Sequence, residues 1–327
     1  MKVLIVKLGA LGDVINTLPL AVNIKTCMNA EIHWLVAPLS YPLVKEHNCV
    51  DRAILFDKKK PGRSFIKAVK EIRKTKYDIA LDVQRLLKSG LFTMLARSER
   101  KLGFDKKRCR EMSHLFNFER ITPAGHLTHM LTQYMEFAEH LGIESEKIAW
   151  NIPWTKQTHK LKHEFRIASD YIVLNTGATK SANRWQGRNF ARLAEMIDKT
   201  LKFTPVLTGG PEDMHTADTI EAEARCKIQN LCGKTTLQEL SLIIDNAECV
   251  ISCDTGPMHL ASALGTKLIA LFGPSDPFRT GPFRGSIIRE KIECSPCNKK
   301  RCASPLCMEK IQPEYVFKKL VEKVGKE

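Results

Sequence analysis

Val3-Leu4-Ile5-Val6-Lys7-Leu8-Gly9-Ala10-Leu11-Gly12-Asp13-Val14 opens the chain with an apolar run, a glycine-bearing turn and the start of a helical pattern. A β-branched-rich run followed at once by a turn and a 3.6-residue periodicity is the first half of a strand–helix–strand unit. The pattern then recurs. Residues 3–7, 32–36, 53–56 and 79–82 read as strands, and residues 14–26, 65–74, 86–97 and 127–141 as helices. Such alternation predicts a parallel sheet with crossover helices. The polar, proline-interrupted stretch 148–162 breaks the rhythm and reads as an interdomain connection. After it the alternation restarts, with strands at 171–175, 204–208, 249–253 and 267–272 and helices at 189–199, 213–225, 237–245 and 257–264. The expected fold class is therefore α/β, two doubly wound domains facing each other across a cleft. A cysteine-rich loop, 294–307, precedes Pro313 and a short amphipathic helix, 314–324, with Val316, Phe317, Leu320 and Val324 on one face.

The bulk properties agree with this reading. A chain of 327 residues exceeds the size at which single cores stop growing. With 43% hydrophobic and 27% charged residues, it has the composition of an ordinary globular protein. Its charge is less ordinary: 51 Lys and Arg against 36 Asp and Glu leave +15, which attracts polyanions. Nucleic acid, an anionic membrane surface and phosphorylated substrates all fit that field. The apolar run before Lys7 is too short for a signal peptide or a membrane span, so a cytoplasmic protein is expected. Most of the eleven cysteines should then be reduced, and seven of them are scattered like small buried apolar residues.

Four strand-end turns carry chemistry. In the first, glycines allow close backbone approach and the helix N-terminus offers free amides to an anion, yet the spacing is Gly-x-x-Gly and the P-loop lysine is missing. Asp13 there reads either as a first-turn carboxylate stabilising the helix or as a general base for an incoming hydroxyl. In the second, Asp254-Thr255-Gly256-Pro257-Met258-His259, the hydroxyl of Thr255 and the amides near Gly256 suit a pyrophosphate, while Asp254 would shape the loop. His259 lies one turn in, where a lone helical histidine is most often packed or solvated. The third, Asn175 to Trp185, offers Thr179, Lys180 and Arg184 as a phosphate clamp or forms a solvated connection. The fourth, Gly209-Gly210-Pro211-Glu212, offers a carboxylate to a ribose diol.

Two further clusters stand apart. Cys294, Cys297, Cys302 and Cys307 supply four thiolates that could hold a structural zinc or iron ion, although a second Cys-x-x-Cys pair is missing. Lys58, Lys59, Lys60 and Arg63, with Lys106, Lys107, Arg108 and Arg110, form basic loops of the first half that are either a solvated surface or phosphate contacts. Aromatic interleaving and nucleic-acid motifs are missing, so no nucleic-acid partner is expected.

Taken together, Lys7-Leu8-Gly9-Ala10-Leu11-Gly12-Asp13-Val14-Ile15-Asn16-Thr17-Leu18-Pro19, the Asp254-to-His259 turn, Leu271-Phe272-Gly273-Pro274-Ser275-Asp276-Pro277 and the stretch Tyr77 to Gln84 with Leu87 to Gly90 resemble glycosyltransferase family 9, the lipopolysaccharide heptosyltransferases, over nearly the whole chain. The opening is similar to heptosyltransferase I. The resemblance implies a GT-B fold: an acceptor-binding Rossmann-like domain at 1–160, an ADP-sugar-binding one at 161–312, and a C-terminal helix, 313–327, returning to the first. It implies inverting transfer of heptose from ADP-L-glycero-D-manno-heptose to the Kdo or inner-core region of lipopolysaccharide, with no cofactor required. Asp13 would be the general base. Thr179, Lys180, Arg184, Glu212, Asp254, Thr255, Gly256 and His259 would bind the donor, and Gly12, Lys59, Lys60 and Arg63 the Kdo-lipid A acceptor, with peripheral contact at the inner membrane. One departure stands out. Family members usually carry a lysine two residues before the tryptophan that is Trp185, and here that position is Asn183. Another family 9 enzyme with a different donor or acceptor, and a non-catalytic nucleotide- or RNA-binding module, are the rival readings.

Overall fold

The computed structural model describes residues 1–116, 118–123, 128–144, 147–155, 165, 167 and 170–325. The chain divides into two compact units, Met1–Pro153 and Trp154–Glu327. In the first, β1 (Lys2–Val6), β2 (Glu31–Val36), β3 (Arg52–Leu55), β4 (Lys76–Asp82), β5 (Arg97–Gly103) and β6 (Glu119–Arg120) form one sheet in the order β3-β2-β1-β4-β5-β6. In the second, β7 (Tyr171–Asn175), β8 (Thr204–Thr208), β9 (Gln229–Asn230), β10 (Cys249–Cys253), β11 (Leu268–Phe272) and β12 (Ser286–Arg289) lie in the order β12-β11-β10-β7-β8-β9. All pairings are parallel. Counted from its own first strand, each unit has the order 3-2-1-4-5-6, the doubly wound Rossmann arrangement.

The composition of the strands follows from that topology. Helices cover both faces of a parallel sheet, so its inner strands are apolar throughout rather than alternating. Val3, Leu4, Ile5 and Val6 are all fully buried, as are Leu268 to Phe272. The first unit's helices are α1 (Leu11–Met28), α2 (Tyr41–Glu46), α3 (Pro61–Arg73), α4 (Leu87–Leu95) and α5 (Met130–His140). The second unit's are α6 (Gly187–Met196), α7 (Met214–Glu223), α8 (Leu237–Asp245), α9 (Gly256–Leu264), α10 (Pro277–Thr280), α11 (Leu306–Glu309) and α12 (Pro313–Val324). α8 begins with a reciprocal cap, the Thr236 hydroxyl accepting from the Glu239 amide while the Glu239 carboxylate accepts from the Thr236 amide at 2.7 Å. α9 ends at Gly265, whose φ of +83° only glycine adopts without strain.

Two expectations change. β5, β6, β9, β12 and α2 are not legible as elements in the sequence. β5 is the instructive one: Arg97-Ser98-Glu99-Arg100-Lys101 is charged, and the strand forms by backbone pairing along β4, with Lys76 and Glu99 joined at 2.8 Å across the pair. The apolar face of α12, Val316 and Leu320, is buried in the second unit's core among α6, β10 and β11. The helix predicted at 127–141 runs from Met130, Leu127 lying outside the described residues, as do the 160/161 boundary and residues 156–160 before it.

Candidate active site

The first site grows from the carboxyl end of β1. Lys7 follows directly on the buried strand and is itself 2% exposed. Its ammonium donates to the Tyr134 hydroxyl on α5 at 2.6 Å and to the Val83 carbonyl at 3.3 Å. The Tyr134 hydroxyl donates in turn to Asp13 Oδ1 at 2.8 Å, and Lys7 Nζ stands 3.7 Å from that same oxygen. Burial lowers the Lys7 pKa to about 8 against the opposing pull of Asp13 and Asp82, with Arg85 adding to the lowering. Asp82, the last residue of β4, is pushed up to about 6 by burial, against hydrogen bonds from Ser89 and from the Gln84 and Arg85 amides.

Asp13 sits in the first turn of α1 but is not its cap, since the N-cap is Ala10 and makes no side-chain cap. Its side chain is 39% exposed, so the carboxylate is held from beneath and open above. Gly9 is required for this approach: a Cβ there would stand 3.0 Å from Asp13 Cβ and Oδ2 and 3.1 Å from the Gln84 amide oxygen, which accepts from the Leu8 amide. Gly12 is buried beside Asp13.

Lys59, Lys60 and Arg63 are exposed at the start of α3. Lys60 and Arg63 line a cavity of about 450 Å³ with Tyr41, Arg52, Asp57 and Lys67. β3 is two strands from β1, so this cavity lies about 10 Å along the sheet from the Asp13 strand. Arg108 differs from the other basic loop residues. It pairs with Asp105 and with Glu136, whose side chain is 1% exposed, and so belongs to the packing rather than to a phosphate surface.

In the second unit the strand order reverses between β7 and β10, which places a ligand crevice at their carboxyl ends. Asn183 is buried there and donates to Asp254 Oδ2 at 3.0 Å and to the Ser275 hydroxyl at 3.2 Å. Asp254 is thereby fixed by a neutral donor. Thr255 is the N-cap residue of α9, yet its hydroxyl makes no cap hydrogen bond, and the first amides of that helix have no partner within it. Lys180 is half-buried and has no ion-pair partner among the described residues. Arg184 is already engaged, donating to the buried Asp213 at 2.6 Å and to the Ala178 carbonyl at 3.3 Å. Thr179 and Glu212 are exposed, and His259 is buried at 8% exposure.

The thiols of Cys294 and Cys297 lie near that of Cys307, whose pKa is raised by burial and by both of them. Cys294 and Cys302 are exposed, Cys297 is intermediate and Cys307 is buried, and Cys302 Sγ points to the Ser304 carbonyl at 3.3 Å. Among the described residues no three His, Cys, Asp or Glu side chains are grouped as a metal ion requires. The loop is tied down by Asn298 N to Pro274 O at 2.7 Å, by the Ser295 hydroxyl to Gly273 O, and by Ala182 N to Lys300 O.

Sequence reasoning assigned no role to Lys7 or Tyr134, and marked Asn183 only as the place of a missing lysine. A lysine ending an otherwise fully apolar strand is the one local signal available, because the topology carries it into the sheet.

The family model described as glycosyltransferase family 9 (heptosyltransferase) matches residues 65–307. The chain is 25% identical over 283 residues to the lipopolysaccharide core heptosyltransferase OpsX of Haemophilus influenzae, covering 85% of this chain and 81% of that protein. The family 9 glycosyltransferase of Veillonella parvula superimposes with a TM-score of 0.84 at 20% identity, over 100% of this chain and 97% of that one. An E. coli heptosyltransferase solved with ADP superimposes with a TM-score of 0.80 at 23% identity, over 99% and 100%.

Proposed function

The chain belongs to glycosyltransferase family 9, the heptosyltransferases, and from that premise we propose that it moves a heptose from ADP-L-glycero-D-manno-heptose to the Kdo-bearing inner core of lipopolysaccharide, with inversion and without a metal. The observation that carries the reading is the Asp13 carboxylate, open on one side and held on the other by the Tyr134 hydroxyl and Lys7. Its position at the carboxyl end of a central parallel strand is where open α/β sheets bind their ligands.

The reaction is a single displacement. Asp13 accepts the proton of an acceptor hydroxyl as its oxygen bonds to the anomeric carbon of the heptose. The bond from that carbon to the diphosphate oxygen breaks on the opposite face, and ADP leaves with the electron pair. The developing charge falls to the α9 amides, the Thr255 hydroxyl and Lys180. Asp254 acts through the loop it shapes with Asn183, and Arg184 chiefly through Asp213. Glu212 faces the ribose, and Thr179 lies beside Lys180. Lys59, Lys60 and Arg63 offer charge to the acceptor's phosphates. Because that acceptor is a lipid, the protein works in the cytoplasm at the inner face of the inner membrane.

Mass spectrometry of Kdo-lipid A incubated with ADP-heptose tests the reading. A gain of one heptose with the native chain and none with Asp13→Ala supports it. No gain with either Kdo-lipid A or an already heptosylated acceptor, while ADP still binds, would overturn the proposed acceptor and donor pair.

A further inference from the structure

On a surface helix the outward stripe is ordinarily polar. α4 departs from that: it buries Ser89, Gly90, Phe92 and Thr93 and exposes Leu87 at 48%, Leu91 at 39% and Met94 at 48%. These three lie at i, i+4 and i+7, one above another on a single face. The elements on either side continue the patch. α3 packs beside α4 through Phe65 against Phe92, with ring centroids 4.7 Å apart, and exposes the neighbouring Ile66. The turn Ser113–Leu115 also packs on α4, Phe116 lying against Gly90, and exposes Met112 and Leu115. Six large apolar side chains thus face outward from three adjacent elements, where scattered single ones would need no explanation.

Charge surrounds them. Residues 58–116 hold eighteen Lys and Arg against six Asp and Glu, a net +12 of the whole chain's +15. Lys67, Lys70, Lys88, Lys106, Lys107 and Arg110 in that stretch are exposed. α4 also starts five residues after Asp82, at the same carboxyl edge of the sheet that carries Asp13.

We propose that this face, α3, α4 and the turn Ser113–Leu115, is a bilayer-docking surface for anionic phospholipid, its apolar stripe entering the headgroup boundary and its cations meeting the lipid phosphates. An apolar stripe rimmed by lysine and arginine is the chemistry of interfacial lipid binding. A second copy of the chain would bring the same positive field against itself. RNA would call for exposed aromatic platforms, whereas the stripe is leucine, isoleucine and methionine. The inference rests on the reading that the acceptor is a membrane lipid, and it gives that lipid's headgroup a short route to Asp13.

The test is co-sedimentation of the full chain with vesicles of phosphatidylglycerol and phosphatidylethanolamine, or of phosphatidylcholine alone, all free of acceptor. The native chain pellets with the anionic vesicles, less so in high salt, and Leu91→Gln/Met94→Gln weakens this about tenfold with an unchanged melting temperature. A second pair, Met112→Gln/Leu115→Gln, carries the test should the first fail to fold. Turnover of a deacylated, water-soluble acceptor stays unchanged in both, while turnover of vesicle-borne acceptor falls. Native-level vesicle binding by both variants overturns the proposal, as does binding only when acceptor is present, or a dimer in ultracentrifugation that the variants dissolve. Failure of the native chain to glycosylate the soluble acceptor counts against the proposed reaction alone, since the vesicle arm contains no acceptor.

Discussion

The two units build their ligand ends on one topology and fill them with opposite chemistry. At the end of β1 a lysine, a tyrosine and two aspartates are packed together, and burial moves Lys7 down to about 8 and Asp82 up to about 6. At the ends of β7 and β10 the charges that stand out in the sequence are mostly engaged already: Asp254 by the neutral Asn183, Arg184 by Asp213. A charged residue in a sequence is therefore not yet an available charge. Which charges reach a ligand is decided by the partners that the sheet order brings beside them.

The sharpest way to separate the two ends is Asp13→Ala. Loss of a general base costs about 10²–10⁴-fold in rate, so kcat should fall about 10³-fold. ADP affinity, measured by calorimetry, should hold, because the proposed nucleotide site is in the other unit. A parallel loss of ADP binding would show that the ends are not chemically separate.

Arg184 and Lys180 divide the second unit itself. Arg184→Ala leaves the buried Asp213 carboxylate without its cation and should lower stability by about 2–4 kcal/mol. Lys180→Ala should leave the melting temperature alone and raise the donor KM about tenfold, the size expected for a lost charge-assisted hydrogen bond. Were the two phenotypes exchanged, Arg184 would be the diphosphate ligand after all.

Tyr134→Phe tests the first unit's relay, since only the hydroxyl that links Lys7 to Asp13 is removed. A loss of about fivefold in kcat with unchanged acceptor KM is expected, as for one mispositioned hydrogen bond. Lys7 sets the accompanying pH dependence. The folded chain keeps the ammonium below about pH 8 and releases it above, so kcat should fall as pH rises through that value. Stability moves the other way. An unfolded lysine holds its proton up to 10.5, so between about 8 and 10.5 the unfolded state binds more protons and stability rises with pH. A melting temperature falling through that range would show that Lys7 is not buried as described.

Much of this was legible in the sequence, and the limits have physical causes. The strands at 171–175, 204–208 and 249–253 were readable to the residue because they are inner strands, covered on both faces and hence built around apolar residues that are buried almost throughout. β5 was not, because a strand of arginine, glutamate and lysine owes its existence to the backbone groups of β4. Asp13 could be picked out from its turn. Tyr134 could not, standing 121 residues away on a helix that only the fold lays against α1.

Asn183→Lys gives the smallest effect and the finest distinction. The resemblance to the family implies a lysine at this position, and here the asparagine side chain is 2% exposed and donates to both Asp254 and Ser275. A lysine at this site would meet the Asp254 carboxylate before any diphosphate, replacing a neutral hydrogen bond by a charged one. The donor KM should then change less than about threefold. A fall well beyond tenfold would show instead that the lysine reaches the diphosphate past Asp254. Asn183 would then be a missing ligand, and the neutral network at the end of β10 a loss of donor affinity rather than another way of shaping the same loop.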